Sequence, residues 1–345
     1  MASRALPPTR DLSPDRAFCR AMLPRVSRTF AINIRLLRGS LSEAVRIGYL
    51  LCRAADTLED AWPGSAGEIG ARFDRLIAAL AGDRTPAAEL SGAAAGVDGG
   101  RAEFELLAEL PRVLRVHAAL PPADREAVTS CVRTLAAGMR RYATRAAGRS
   151  AASPYLDDER ELHDYCFVVA GCVGIMLTRL FATRVPARDP ATEERRLALA
   201  PAVGEALQLT NILLDWPADV RRGRCFVPGA WLEERGLVPA DLVAPGRPGV
   251  REIAGRLEAL ARAALARVPD YLDLVPTRCV RYRLFCLWPA LWAAASLGHA
   301  RRDPEFPWGP RRPRLPRRQL WGAALGSLLV AHDPRATRRM VLARA

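Results

Sequence analysis

The chain has 345 residues, with 51 basic side chains against 37 acidic ones and a formal net charge of +14. All 51 are arginine, half of the residues are hydrophobic and 26% are charged, a balance that excludes a largely disordered chain. A chain this long buries roughly 75% of its unfolded surface, enough for a core that contains a cavity.

The charge excess alone admits nucleic acid, an anionic membrane or a phosphorylated small molecule. An aromatic fraction of 6% in a composition dominated by Ala and Arg argues against nucleic acid as partner. A guanidinium binds phosphate bidentately and stays charged near neutrality, so the other two partners stay open. The cysteines (Cys19, Cys52, Cys131, Cys166, Cys172, Cys225, Cys279, Cys286) form no CxxC pair and read as small buried hydrophobes. His117, His163, His299 and His332 form no metal-spaced pair, which argues against zinc or thiol-redox chemistry.

Taken in chain order, residues 1–20 read as an N-terminal extension with no apolar run typical of a secretory signal. One domain follows over 21–335, with a basic tail over 336–345. Periodicity near 3.6 predicts helices over 42–60, 124–142, 161–184, 201–221, 250–273 and 280–300, and alternating β-branched runs are missing. Gly82–Gly100 reads as a Gly/Ala-rich loop, Pro186–Pro190 as a turn, Val243–Gly249 as a helix stopper and Arg301–Pro316 as a Pro/Arg-rich connector. The apolar runs Leu284–Ala300 and Leu320–Ala331 fall short of the ~20 residues of a spanning helix and read as core helices. The expectation is an all-α, single-domain helical bundle around a central apolar cavity, placed in the cytoplasm and at most peripheral at its membrane. Oligomeric state is not legible.

Two constellations carry chemistry. In Asp56-Thr57-Leu58-Glu59-Asp60, positions i, i+3 and i+4 share one helical face, so three carboxylates converge within a turn. Val45, Gly48, Tyr49, Cys52 and Ala55 continue that face as a buried stripe. A solvated acidic helix end would look the same from this cluster alone. In the second constellation, Asn211, Asp215 and Asp219 lie at i, i+4 and i+8 among apolar Ile212, Leu213, Leu214 and Trp216. Buried carboxylates require partners or metal. Two acid-bearing helices facing each other would offer hard oxygen ligands suited to several Mg²⁺ ions and a diphosphate. Arg53, Arg221, Arg222 and Arg224 flank them. Metal-assisted departure of an allylic diphosphate in a water-poor cavity is the chemistry that needs such a site.

Four ordered segments resemble signatures of the squalene/phytoene synthase family, the trans head-to-head prenyl synthases, over Val26 to about Val330. Val26–Ala31 resembles the N-terminal serine motif, Tyr49–Asp60 the first aspartate-rich signature and Tyr165–Gly174 the central signature. Gln208–Asp219, followed by Arg221–Pro228, resembles the second aspartate-rich signature. Phe285–Pro289 is more similar to squalene synthases than to phytoene synthases.

The resemblance implies Mg²⁺ at Asp56, Glu59, Asp60, Asn211, Asp215 and Asp219, and diphosphate at Ser27, Arg28, Arg53, Asn211 and Arg224. It places Phe30, Val169, Val173, Leu207, Gln208 and Phe285 along the prenyl chains, although each would serve equally as packing core. Tyr49 and Tyr165 would steady protons or cationic charge. Arg314 and Arg317 are candidate NADPH contacts, or simply part of a basic connector. The implied reaction joins two farnesyl diphosphates through presqualene diphosphate to squalene. Its alternatives are a phytoene, hydroxysqualene or dehydrosqualene relative, one ending at presqualene diphosphate, and a non-catalytic assembly or binding protein.

The chain departs from the family pattern at Ala218, where Glu is usual, and at Leu214, where Arg is usual. If residue 214 faces the site, restoring arginine there should help diphosphate binding or leave it unchanged. Pro217 removes an N–H that would bond the Leu213 carbonyl, which predicts a kink.

Overall fold

The structure is a computed structural model; it describes residues 11–97, 101–149, 153–309 and 312–344. Among them every regular element is helical. The first half comprises α1 (Ser13–Val26), α2 (Arg28–Ile34), α3 (Gly39–Asp60), α4 (Ala66–Leu80), α5 (Arg84–Ala95), α6 (Ala102–Ala108), α7 (Leu110–Ala118) and α8 (Pro122–Ala147). Then come α9 (Glu159–Cys166), a π turn over Phe167–Gly171, α10 (Cys172–Ala182), α11 (Pro190–Arg221) and α12 (Gly229–Glu233). A 3₁₀ turn over Pro239–Val243 leads to α13 (Val250–Ala266), α14 (Val268–Asp273), α15 (Val280–Ala300), α16 (Arg317–Val330) and α17 (Pro334–Leu342). The all-α expectation holds, and residues of α2, α3, α8, α9, α10, α11 and α15 wall a central cavity of about 540 Å³.

Several local expectations are corrected. The span read as a Gly/Ala-rich loop contains α5, because alanine is the strongest helix former. Asp83 caps α5 by accepting the Thr85 N–H at 3.0 Å, and Ala87, Leu90 and Ala94 are buried. The helix expected over 250–273 is two, α13 and α14, the second opening with Pro269 in its first turn. The helix expected over 161–184 is interrupted by the π turn, which adds a residue to one turn and re-aims the side chains around it. Helix α11 starts earlier than expected, at Pro190 after the cap Asp189, and runs on through Pro201 and Pro217. Leu284–Ala300 is core as expected, whereas the Leu320–Ala331 run is buried on one side only. Residues 336–342 of the basic tail belong to α17.

Two stretches, Glu159–Ala182 and Pro190–Arg221, are long and apolar enough to cross a membrane by length and composition. About half of each apolar window, 44% and 50%, is buried inside the chain, because these helices pack on one another. Glycine permits that packing. A Cβ on Gly174 would come within 3.0 Å of the Ala200 carbonyl group, and one on Gly204 equally close to the Ala170 carbonyl group. Backbone therefore meets backbone at both crossings, and no flexible side chain is available to yield. Gly204→Ala should destabilise the protein by about 1–3 kcal/mol, as overpacked cores do, read as a lower thermal midpoint. A wild-type midpoint would mean that the two helices separate freely.

Candidate functional site

The first acid cluster lies at the end of α3, after a stripe whose Val45, Tyr49 and Cys52 line the cavity. Asp56, Glu59 and Asp60 all reach the cavity, and so do Asn211, Asp215 and Asp219 of α11 on the facing wall. The two constellations, far apart in sequence, therefore meet at one mouth. Asp60 couples them: its charge contributes to raising both Asp215 and Asp219 above the usual carboxylate range.

Burial is the largest cause of every raised carboxyl here. Asp56 is pushed up to about 7 by burial and then by the charge of Asp60, with Arg53 opposing. Asp219 is pushed up to about 7 by burial and then by Asp215 and Asp60. Asp215 is raised by burial, with Arg312 opposing. Burial and the Asp60 charge also raise Glu59, whose Oε1 accepts the Tyr155 hydroxyl at 2.9 Å. Glu59 is thus tied into the protein, and Asp60 is the exposed member.

The basic residues separate into distinct roles. Arg53 lines the cavity, donates to Glu103 at 3.0 Å and lies 3.7 Å from Asp56. Its Nε is buried without a hydrogen-bond partner. Arg222 also lines the cavity. Arg224 pairs with Asp60 and donates to the Glu59 carbonyl, bracing the end of α3. Arg221 turns outward to the carbonyls of Trp308 and Gly309, at 2.6 and 3.1 Å. Ser27 caps α2 by accepting the Phe30 N–H at 3.2 Å. Arg28 lies in α2, with its side chain outside the described positions.

The apolar wall gathers Phe30, Val169, Val173, Leu207 and Phe285 as expected, with Gln208 among them. Tyr49 packs on Phe30 with ring centroids 5.3 Å apart, and burial pushes its hydroxyl up to about 12. Tyr165 stacks on Phe226 at 5.1 Å and meets Tyr142 edge-on at 5.3 Å. Arg314 and Arg317 are exposed and do not line the central cavity.

Sequence reasoning missed two features. Phe226, inside the Arg221–Pro228 segment, lines the cavity beside Tyr165; its aromatic type next to an arginine-rich turn was the available signal. Arg312 was not legible at all. From the connector it reaches back to Asp215 Oδ2 at 2.5 Å and Asn211 Oδ1 at 3.1 Å, about a hundred residues away in sequence.

The two departures come apart in the structure. Ala218 lines the cavity where a third carboxylate would stand. Leu214 is 1% exposed and does not line it, so an arginine there would be a buried charge and not a diphosphate grip. The condition under which arginine at 214 would help or be neutral, that residue 214 faces the site, is therefore not met. Leu214→Arg should cost roughly 3 kcal/mol or more, read by thermal or urea unfolding. A variant as stable as the parent would show that residue 214 can turn toward the cavity.

The Squalene/phytoene synthase family profile matches residues 23–319. The squalene synthase of Schizosaccharomyces pombe is 28% identical over 291 residues, covering 83% of this chain and 60% of that protein. The 15-cis-phytoene synthase of Enterobacter agglomerans is 40% identical over 110 residues, 30% of this chain and 35% of that protein. Among solved structures, TcSQS in complex with the ligand BPH1237 superposes with a TM-score of 0.75 at 25% identity, covering 95% of this chain and 89% of that one. The chain thus spans about six-tenths of the length of the squalene synthases it matches. With the paired acid clusters and the apolar cavity between them, these matches establish that the chain belongs to the squalene/phytoene synthase family.

Proposed function

We propose that the chain is a Mg²⁺-dependent prenyltransferase that joins two farnesyl diphosphates head to head to give presqualene diphosphate. The observation that carries this reading is the junction of two carboxylate arms and a partnerless buried Arg53 Nε at the mouth of an apolar cavity. A diphosphate oxygen would satisfy that Nε, and the apolar wall suits a hydrocarbon chain.

The donors at the site are the carboxylates of Asp56, Glu59, Asp60, Asp215 and Asp219. Among the described residues, no three such side chains converge closely enough to hold an ion alone. That fits Mg²⁺, which takes one or two carboxylates and completes its shell with water and substrate phosphate. Asp56 and Asp60 on one arm, and Asp215 and Asp219 on the other, would hold it, where it would neutralise charge on the departing diphosphate. The carboxylates raised by their neighbours' charge are the ones a cation would relieve.

The protein's own groups do the rest. Arg53 and Arg222 present positive charge to the diphosphate as the donor C1–O bond breaks and its electron pair leaves with oxygen. Phe30, Val169, Val173, Leu207 and Phe285 exclude water from the allylic cation. The faces of Tyr165 and Phe226 stabilise that cation until the second molecule's double bond captures it. A proton then leaves the donor C1 to the departed diphosphate, and the C–H electron pair closes the cyclopropane ring. Continuing to squalene takes a hydride donor such as NADPH. Arg314 and Arg317 are exposed and lie outside the central cavity. That observation favours, as a second reading, a relative that stops at presqualene diphosphate or dehydrosqualene, neither of which needs a reductant.

Incubation with farnesyl diphosphate and Mg²⁺ should release diphosphate and yield presqualene diphosphate or its descendants. Parallel reactions with NADPH and with geranylgeranyl diphosphate identify the final product and the chain length. Asp56→Asn and Asp215→Asn should each lower turnover by roughly 10²-fold or more with an unchanged helical circular dichroism signal. If the parent releases no diphosphate from either substrate, the chain is a non-catalytic member of the family.

A further inference from the structure

Helix α16 is fastened to the core along one side and bare along the other. On the inner side, Trp288 Nε1 donates to Ser327 Oγ at 2.9 Å and Trp292 Nε1 to the Leu320 carbonyl at 3.1 Å, with Ala323 and Ala324 buried beside them. On the outer side, Trp321, Leu325, Leu328 and Leu329 are all exposed, Leu325 to 60% and Leu329 to 76%. Their spacing of i, i+4, i+7 and i+8 gathers them into one stripe about 100° wide. The same rotation brings Arg317 and Arg318 onto that side at the start of the helix. Isolated exposed leucines are ordinary; four large apolar side chains in one contiguous stripe are not.

The charge around the stripe selects its partner. From Phe306 through His332 the sequence carries five arginines and no carboxylate. An apolar stripe with an indole, with arginines at its start and its nearest carboxylate in sequence, Asp333, engaged as the cap of α17, has the chemistry of a helix lying in the headgroup layer of an anionic bilayer. We propose that α16 is a docking surface for anionic lipid, with Trp321, Leu325, Leu328 and Leu329 entering the acyl boundary and Arg317 and Arg318 meeting lipid phosphates.

Position gives this docking a consequence. Arg312, which holds Asp215 and Asn211 at the mouth of the cavity, lies only five residues before the start of α16. Five extended residues reach at most about 17 Å, so a bilayer under α16 lies close to the cavity mouth. An amphiphile with a long apolar chain partitions into that bilayer. The docking itself does not depend on the reaction proposed above.

Flotation of the full chain with vesicles of phosphatidylcholine, with and without phosphatidylglycerol, tests the proposal. The chain should bind vesicles containing phosphatidylglycerol, and more weakly at high salt. Leu325→Asp combined with Leu329→Asp should lower partitioning about tenfold or more, since the lost apolar burial exceeds the surface attraction. Arg317→Ser combined with Arg318→Ser should lower it about fivefold per arginine, on anionic vesicles only. These arginines are exposed, so their variant tests the surface even if the leucine variant misfolds, which a thermal melt would reveal. Absence of binding to anionic vesicles, or equal binding by parent and folded variants, would overturn the proposal. So would a parent dimer that the leucine variant converts to monomer with vesicle binding unchanged, since the stripe would then cover a second copy.

Discussion

Like charges forced together beside an oily cavity are the constraint around which this molecule is arranged. Asp56 and Asp60 share one helical face, Asp215 and Asp219 another, and Asp60 is close enough to raise both members of the facing pair. Held in place without compensation, such a cluster opposes folding. Part of the compensation is internal. Arg224 braces Asp60, Tyr155 donates to Glu59, Arg53 stands by Asp56, and Arg312 crosses from the connector to Asp215. The remainder is negative charge facing the cavity, which the proposed function assigns to bound cations.

The apolar half of the site depends on close backbone approach. Gly174 and Gly204 bring α10 and the π turn against α11, so that Val169 and Val173 on one side and Leu207 on the other face the same space. Larger residues at the glycines would push those walls apart. The aromatic group of Tyr142, Tyr165 and Phe226 then closes the region beside the carboxylates. Charge at the mouth and hydrocarbon at depth follow from two helices carrying acids on faces that otherwise continue as core.

The acid arms were legible because helical periodicity is a local property: spacings of three and four residues place side chains on one face whatever surrounds them. The residues that the family pattern suggested for an apolar wall, Phe30, Val169, Val173, Leu207, Gln208 and Phe285, all line the cavity. Arg312 was illegible because its contact closes over about a hundred residues and follows no period. Helix α5 was misread because glycine punctuation masked alanine propensity. The Leu320–Ala331 run was misread for a different reason. Composition reports that a segment is apolar but not whether the fold supplies a partner for each of its sides, and α16 has a partner on one side only. Leu214 shows the converse error, since a family position expected at the site proves to be packed core.

The +14 charge accordingly has several local meanings: arginines that brace the acids, arginines at the cavity mouth, and a carboxylate-free stretch at the base of α16. The central claim is that the two acid arms act as one metal–diphosphate site. Calorimetric titration with a thiolo analogue of farnesyl diphosphate, which resists ionisation, tests it most directly. Binding should require Mg²⁺ and should be lost in Asp56→Asn and in Asp219→Asn alike, one variant on each arm. Binding of equal strength without Mg²⁺, or loss in one variant with full retention in the other, would contradict it.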